Sequence, residues 1–232
     1  MSALRRPARQ MLVFVAAILA VVARPRVGTT VRFDTILGAI EVDLYEAEMP
    51  ITVGNFITYA NAGSYSSSLI HRSTTYNPAD IQIVQGGGFT ISGGSISPIA
   101  TNPPIVFESG TYTNLRGTIA MARGAGLDTA TSQFFFNVQD NPALDGNYAV
   151  FGKVSNAESL GVLDTIGSLP VYNLSDQLSP VFAETPLVPF EGNLYFMQVN
   201  RVEAVPEPST MVLAAVGLAA AVLVRRRHPG RA

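Results

Sequence analysis

The chain has 232 residues, no cysteine and a hydrophobic content of 47%, which is ordinary for a globular protein. The absence of cysteine excludes disulfides, zinc–thiolate sites and cysteine nucleophiles, and two histidines are too few for most histidine-rich metal centres. The formal net charge of -2 is unevenly distributed: residues 27–205 hold six basic and 16 acidic side chains, a balance of -10 that argues against nucleic-acid binding.

The first 26 residues have the three-part form of a secretory signal peptide. Met1–Gln10 is basic, Met11–Val22 is an apolar run, and small residues precede a predicted cleavage after Ala23. The alternative is a membrane anchor that stays in place. An apolar run of 12 residues is short for crossing about 30 Å of hydrocarbon. We therefore predict that residues 1–26 form a signal peptide that is cleaved on export.

The central part of the chain, residues 31–203, shows one continuous pattern without a linker or an internal repeat. Val31–Tyr45 alternates apolar and polar side chains on both sides of Leu37-Gly38, which predicts a β-hairpin. Pro50–Ala62 has apolar residues at helical spacing, and Gly63 suits the C-terminal cap of that helix.

Short strands and one further helix follow. Strands are predicted at Ile81–Val84, Gly117–Ala122, Phe134–Val138, Ala149–Val154 and Leu194–Glu203. A helix is predicted over Ala157–Ile166, with Ser155 and Glu158 spaced as a capping box. Residues 86–104 and 170–193 are rich in loop-forming residues, so we predict loops there. Many short strands, two helices and Gly-rich turns are typical of a mainly β protein, a closed β-barrel capped by helices.

A second three-part pattern closes the chain: Pro206-Glu207-Pro208, the apolar stretch Met211–Val224 and Arg225-Arg226-Arg227. The basic end is expected to stay on the cytoplasmic side while the apolar stretch inserts as a transmembrane helix. The pattern resembles the PEP-CTERM sorting signal of Gram-negative bacteria, which implies processing by an exosortase-type enzyme. The alternative is an ordinary tail anchor. Both interpretations place a domain of residues 27–204 outside the cytoplasm, in the periplasm, on the cell surface or in the extracellular matrix, and leave residues 205–232 as the sorting signal.

Six motifs lie in order along the central domain. They are Ile70-His71-Arg72, Val84–Phe89, Asn114–Arg123, Thr131–Val138, Leu144-Asp145-Gly146 and Val150–Val154. Their order and spacing resemble the cyclophilin family of peptidyl-prolyl cis-trans isomerases over about residues 31–203. The resemblance implies a closed antiparallel eight-stranded β-barrel capped by two helices. It also implies an isomerase that acts on X-Pro bonds of polypeptides and needs no cofactor and no metal. Nothing in the sequence indicates an oligomer, so a monomer is the default expectation.

The chemistry of proline isomerisation fits this resemblance. Rotation about an X-Pro bond faces a barrier of about 18–20 kcal/mol because the amide C–N bond has double-bond character. As the bond twists, the lone pair localises on the prolyl nitrogen, and a donor that bonds this nitrogen only in the transition state increases the rate. The resemblance implies that Arg72 is this catalytic donor. The alternative is a structural ion-pair partner.

The resemblance also implies an apolar pocket for the proline ring. Phe135 corresponds to the pocket phenylalanine of the family, Ile83 to the pocket floor and Leu144 to a further wall. The alternative for each is ordinary core packing, which apolar strand residues do by default. His71 is implied to be structural, as a core histidine with its hydrogen bonds satisfied, rather than a proton donor.

Five further residues are implied to contact the substrate backbone or to border the groove. Gln85 corresponds to a glutamine that bonds the substrate and helps to position the arginine, and Gln133 to a second polar residue beside the groove. Ala122 and the backbone of Arg123 correspond to the edge that pairs with the extended peptide. Tyr148 stands where the family often has a histidine.

The sequence departs from the family pattern in ways that affect the pocket. The segment Ser73–Asp80 holds five residues more than the usual spacing. Gln82 replaces the usual pocket phenylalanine and Ala143 a common aromatic residue, although Tyr76 offers a substitute ring. The shallower pocket predicts weak or absent cyclosporin binding. Two functions stay open, an exported prolyl isomerase and a low-activity peptide-binding or extracellular-matrix protein. A third, an unrelated β-barrel adhesin, does not explain six ordered motifs.

Overall fold

The computed structural model describes residues 29–74 and 81–205. The strands of this part of the chain are β1 Thr30–Thr35, β2 Gly38–Leu44, β3 Ser68–Ser73, β4 Ile83–Ser92, β5 Ser95–Pro98, β6 Thr118–Met121, β7 Phe134–Asn137, β8 Val150–Val154, β9 Val171–Tyr172, β10 Thr185–Phe190, β11 Asn193–Phe196 and β12 Gln198–Val205. Its α-helices are α1, Pro50–Asn61, and α2, Ala157–Gly167.

Eight of these strands close into an antiparallel barrel. The order is β3-β12-β1-β2-β8-β6-β7-β4, and β4 pairs with β3 to complete the ring. Strand β5 extends β4 as a hairpin, while β11, β10 and β9 form a separate small sheet. Closure gives every barrel strand a neighbour on both edges. The eight-stranded barrel with two helices is therefore confirmed.

The barrel interior is filled largely by aromatic side chains. Phe33 makes edge-to-face contacts with Phe134 and Phe136 of β7, each with ring centroids 5.3 Å apart. Phe56 of α1 and Leu163 of α2 are buried in the same cluster, so both helices are held to the barrel by apolar packing. Phe135, between two core phenylalanines, belongs to a second apolar cluster, as the alternation of side chains along a strand requires.

The helix predictions are accurate in position, but one cap is different. Helix α1 begins at Pro50 and is followed by Gly63 with φ +69°, a left-handed conformation that favours glycine. At α2 the predicted capping box of Ser155 and Glu158 is wrong. Asn156 is the N-cap, and its side-chain oxygen accepts a 2.8 Å bond from the Ser159 amide.

Both predicted loops contain strands, and β3 lies in a segment for which no strand is predicted. Residues 86–92 continue β4, because the glycines there allow close approach of neighbouring strands rather than a turn. A Cβ on Gly86 would lie 2.8 Å from a side-chain carbon of Ile70, and one on Gly87 would lie 2.7 Å from the Ser132 carbonyl oxygen. Residues 170–193 contain β9 and β10, and the predicted closing strand divides into β11 and β12 at the buried Met197.

The remaining predictions lie outside the described residues. They are the signal peptide over residues 1–26, the substitute ring of Tyr76 and the apolar stretch Met211–Val224. Within residues 29–74 and 81–205, no helix is long and apolar enough to cross a membrane. Contacts within the chain group Gly28–Val205 as one compact unit.

Candidate active site

A β-bulge in β3 sets the direction of Arg72. Ile70 pairs with Gly86 of β4, but Arg72 pairs with Gln85, so β3 advances two residues while β4 advances one. Ile70 packs in the barrel core. Without the bulge, Arg72 would share the face of Ile70, since alternate residues of a strand point the same way. The bulge instead aligns Arg72 with the outer row of the sheet.

That outer row crosses four strands. Gln85 of β4 pairs with Phe135 of β7, which pairs with Ala120 of β6, so Arg72 lies at one end of a line of facing residues. A small apolar cluster surrounds this line, separate from the barrel core. Its buried members are Ile83, Ala120, Ala122, Phe135, Leu144 and Val150. The structure therefore brings Phe135, Ile83, Leu144 and Ala122 together with Arg72 on one face of the barrel.

Tyr148 lies at the border of this cluster, where its ring contacts both Phe135 and Arg123. Its ring meets Phe135 edge to face, with centroids 5.4 Å apart, and the guanidinium carbon of Arg123 lies 4.9 Å from its ring centroid. Arg123 Nε also donates a 2.7 Å bond to the Asn147 carbonyl oxygen. The Arg123 side chain therefore holds the Tyr148 segment, and the Ala122 amide donates a 2.9 Å bond to the Gln133 carbonyl oxygen.

The two glutamines are bonded to each other, and the arginine is bonded to an acid. Gln85 Nε2 donates a 2.8 Å bond to Gln133 Oε1. Arg72 Nε donates a 2.7 Å bond to Glu184 Oε2, in an ion pair whose side chains are 41% and 25% exposed. Gln85 is thus opposite Arg72 in the strand register, but the guanidinium of Arg72 bonds to Glu184.

Buried asparagines support the turn that carries Leu144. Asn141 Nδ2 donates a 2.8 Å bond to Asn137 Oδ1, and Asn137 Nδ2 donates a 3.2 Å bond to Asn114 Oδ1. The Asn114 amide in turn donates a 2.7 Å bond to Asp145 Oδ1, directly after Leu144. Such a connected network fixes the position of the 3₁₀ turn Pro142–Leu144 against the sheet.

The positions that depart from the family pattern lie around this turn and at the long segment after β3. Thr74 Oγ1 donates a 2.6 Å bond to the Ile81 carbonyl oxygen and accepts a 3.1 Å bond from the Ile83 amide, which ties the two ends of that segment together. Gln82 is half-buried, and its amide donates a 3.0 Å bond to Asn141 Oδ1. Ala143 is exposed beside Leu144.

His71 is fully buried next to Arg72. Its ring meets Phe89 and Phe182 edge to face, at centroid distances of 5.1 Å and 6.3 Å. Neither ring nitrogen makes a well-aligned hydrogen bond within the described residues, so the expectation of a satisfied histidine is not met. Burial lowers the pKa of His71 to about 4; the Leu69 backbone partly opposes this shift, and the charge of Arg72 adds a smaller lowering effect. The neutral ring packs as a core residue.

Three contributors to the site have no clear sequence signal. Glu184 lies in the segment predicted as a loop, and 112 positions separate it from Arg72. Tyr45 and Tyr112 stack at a centroid distance of 3.8 Å and pack against the apolar cluster, where burial raises the pKa of Tyr45 to about 12. Only the tertiary fold brings these residues to the site.

The arrangement suits binding and hydrogen bonding. A guanidinium lies at one end of a row that leads through Gln85 to the apolar cluster, and Gln133 is bonded to Gln85. Across the described ranges, no three acidic or histidine side chains converge closely enough to hold a metal ion. An apolar surface beside a fixed cation can hold a small ring and donate hydrogen bonds to an amide next to it.

Comparisons with known proteins agree with this geometry. Residues 30–183 match the family described as cyclophilin type peptidyl-prolyl cis-trans isomerase/CLD, and residues 204–227 match the PEP-CTERM protein-sorting motif. Peptidyl-prolyl cis-trans isomerase A of Dickeya dadantii is 41% identical over 152 residues, which cover 63% of this chain and 75% of that protein. A peptidyl-prolyl cis-trans isomerase of Acinetobacter baylyi is 39% identical over 158 residues, 66% of this chain and 79% of that protein.

The fold is also found among solved structures. The crystal structure of a cyclophilin type peptidyl-prolyl cis-trans isomerase of Cryptosporidium parvum resembles this chain with a TM-score of 0.57 at 22% identity. The likeness covers 78% of this chain and 99% of that one. At this level of identity, the likeness shows a shared fold.

Proposed function

This chain belongs to the cyclophilin-type peptidyl-prolyl cis-trans isomerase family, and we propose that it isomerises X-Pro bonds with Arg72 as the catalytic donor. It is an isomerase that carries a PEP-CTERM sorting motif, which indicates export in Gram-negative bacteria. The observation that carries the proposal is the row of residues from Arg72 through Gln85 to Phe135 on one face of the barrel.

The proposed mechanism places the proline ring on the apolar cluster. Phe135 and Leu144 are buried there with Ile83, and the edge of Phe135 against Tyr148 defines one wall. Apolar contact with the ring binds both isomers and the twisted state to a similar degree, so it contributes affinity more than rate. The rate enhancement must therefore come from a group that bonds the twisted amide more strongly.

Arg72 supplies that bond. As the C–N bond twists, the prolyl nitrogen gains a localised lone pair, to which a guanidinium N–H can donate. A proline ring bound on the apolar cluster would displace water from this region, and a charged hydrogen bond is stronger where the dielectric is low. Gln85 and Gln133, with the Ala122–Arg123 edge, are proposed to bond the peptide backbone and hold it extended. No step requires a cofactor or a change of covalent bonds.

The substrates are proposed to be polypeptides outside the cytoplasm. The PEP-CTERM match over residues 204–227 supports transient membrane insertion through Met211–Val224 and processing by an exosortase-type enzyme. We assign residues 1–26 to a cleaved signal peptide and residues 27–204 to the working domain, acting as a monomer. Once both ends are removed, the domain keeps a strong negative charge, which favours solubility.

A proline-isomerisation assay tests the catalytic role. The fragment 27–204 is compared with Arg72→Ala and with Arg116→Ala as a matched control, because Arg116 also forms an exposed ion pair, at 2.6 Å to Asp164. We expect wild type and Arg116→Ala to accelerate cis-trans exchange of a short X-Pro peptide, and Arg72→Ala to lose most of the acceleration while still folded. Equal rates for wild type and Arg72→Ala would refute the role. No acceleration by any variant would favour a peptide-binding protein.

Mass spectrometry of the exported protein tests the processing. We expect a mature chain shortened at both ends, beginning within a few residues of Arg24 and lacking Arg225–Ala232. An exported protein that retains an intact Arg225–Ala232 would contradict C-terminal processing.

A further inference from the structure

The segment that follows α2 returns to β3 and packs against the residues around Arg72. Phe182 is buried, with its ring centroid 4.9 Å from that of Phe89 and 6.3 Å from that of His71. Thr185 is fully buried, and its hydroxyl donates a 2.9 Å bond to the Phe182 carbonyl oxygen. The backbone is therefore held on both sides of Glu184.

Glu184 itself is bonded to β3 through its main chain. Its carbonyl oxygen accepts a 2.7 Å bond from the Ser73 amide, one residue after Arg72. The fixed backbone keeps the base of the Glu184 side chain close to Arg72, and this side chain is only 25% exposed. Glu184 lies just beyond the residues that match the family, which end at 183.

Arg72 needs such a partner. Its side chain is 41% exposed, and a long exposed side chain samples many rotamers. Each rotamer that carries the guanidinium away from the groove lowers the fraction of protein that can donate to the prolyl nitrogen. Gln85, which the family resemblance would have position the arginine, donates instead to Gln133 Oε1 at 2.8 Å.

The contact between the two side chains leaves the ends of the guanidinium available. Glu184 Oε2 accepts from Nε of Arg72 at 2.7 Å, which uses one of the five N–H donors of the guanidinium. The four N–H groups on the terminal nitrogens take no part in this contact. The carboxylate thus fixes the side chain at its inner nitrogen and leaves terminal donors for a substrate amide.

We propose that Glu184 is a positioning residue for Arg72, a carboxylate that holds the guanidinium at the groove so that its terminal N–H groups meet the twisting prolyl amide. This inference rests on the catalytic role proposed for Arg72. The carboxylate also offsets part of the positive charge of Arg72, so the proposal requires the gain from positioning to exceed that loss. The direction of the effect is therefore a decisive measurement.

The test compares kcat and KM of the full-length chain with those of Glu184→Ala, Glu184→Gln and the control Asp164→Ala. Asp164 forms a similarly short pair with Arg116, at 2.6 Å, with a more exposed carboxylate, 49% against 25% for Glu184. We expect Glu184→Ala to lower kcat about 10-fold, since a displaced catalytic group loses much of its rate advantage. We expect its KM to change by less than about twofold, because uniform binding is retained. Glu184→Gln should recover part of kcat, because its amide oxygen can still accept from Arg72 Nε. Asp164→Ala should match wild type.

The same comparison in an Arg72→Ala background separates positioning from structural support. There, Glu184→Ala should cause no further loss of kcat, because no guanidinium remains to be held.

The inference is overturned if Glu184→Ala retains or exceeds the wild-type kcat, or if it lowers kcat by the same factor without Arg72. An Arg72→Ala variant as active as wild type would refute the catalytic role itself and this inference with it. A low Arg72→Ala activity beside full Glu184→Ala activity would refute this inference alone. Circular dichroism of each variant checks its fold, and Glu184→Gln keeps the side-chain volume if Glu184→Ala is unstable.

Discussion

Acidification should destabilise the domain through His71. The ring is fully buried, and its pKa is about 4, below the ordinary value of 6.5 that it regains when the chain unfolds. Between these two values, the unfolded chain binds a proton that the folded chain does not bind. Stability is therefore complete above pH 6.5 and falls as the pH decreases toward 4.

The size of this effect follows from the two pKa values. A separation between about 4 and 6.5 corresponds to about 3 kcal/mol of unfolding free energy once the pH reaches 4. At pH 6 the loss is about 0.8 kcal/mol, since only part of the unfolded population carries the proton. For a domain of ordinary stability, about 5–15 kcal/mol, a loss of 3 kcal/mol is large.

Urea unfolding of fragment 27–204 between pH 7 and pH 4.5 measures this loss. His71 is the sole histidine of the fragment, so His71→Leu removes the titration while keeping an apolar side chain between Phe89 and Phe182. Wild type should lose about 2.5 kcal/mol more than His71→Leu across this range. Parallel pH dependence in the two proteins would refute the assignment of a buried neutral histidine.

Two further predictions use matched pairs of residues. Phe135 and Phe136 are both 2% exposed but belong to the site cluster and the barrel core respectively. Phe135→Leu and Phe136→Leu should each lower the unfolding free energy by about 1 kcal/mol. The value of kcat/KM per folded molecule should fall only for Phe135→Leu. Equal kcat/KM in the two variants would show that Phe135 does not belong to the site. Gly87→Ala should cost about 2 kcal/mol in a denaturant melt, because φ is +74° and the new Cβ would lie 2.7 Å from the Ser132 carbonyl oxygen. Gly93→Ala, where φ is +56° and nothing lies within 4 Å, should cost about 1 kcal/mol, and an equal cost at both positions would contradict this steric account.

Local patterns in the sequence were sufficient to predict most elements. Period-two alternation predicted the first hairpin, and helical spacing with Pro50 and Gly63 predicted α1 to within a residue. The glycines of residues 86–88 misled the prediction, because glycine marks turns but also marks places where strands approach closely. The capping box failed for a local reason: Asn156 is itself a strong N-cap and lies one position after Ser155.

The site was predictable to the extent that motifs carry it. Phe135, Ile83 and Leu144 come together as the resemblance implied, and the strand register links Arg72 to Phe135 through Gln85. The bulge that turns Arg72 outward and the ion pair with Glu184 were not predictable, because both depend on strand register and on the path of residues 170–193. Neither feature has a short-range pattern in the sequence.

The central claim is that Arg72 accelerates rotation of the bound peptide rather than improving its binding. Exchange NMR of an X-Pro peptide with fragment 27–204 measures the cis-trans rate on the protein, and titration of the same sample gives the Kd. The account predicts that Arg72→Ala binds the peptide with nearly unchanged Kd and loses most of the on-protein exchange rate. A variant that exchanges the bound peptide as fast as wild type, with only a weaker Kd, would contradict it.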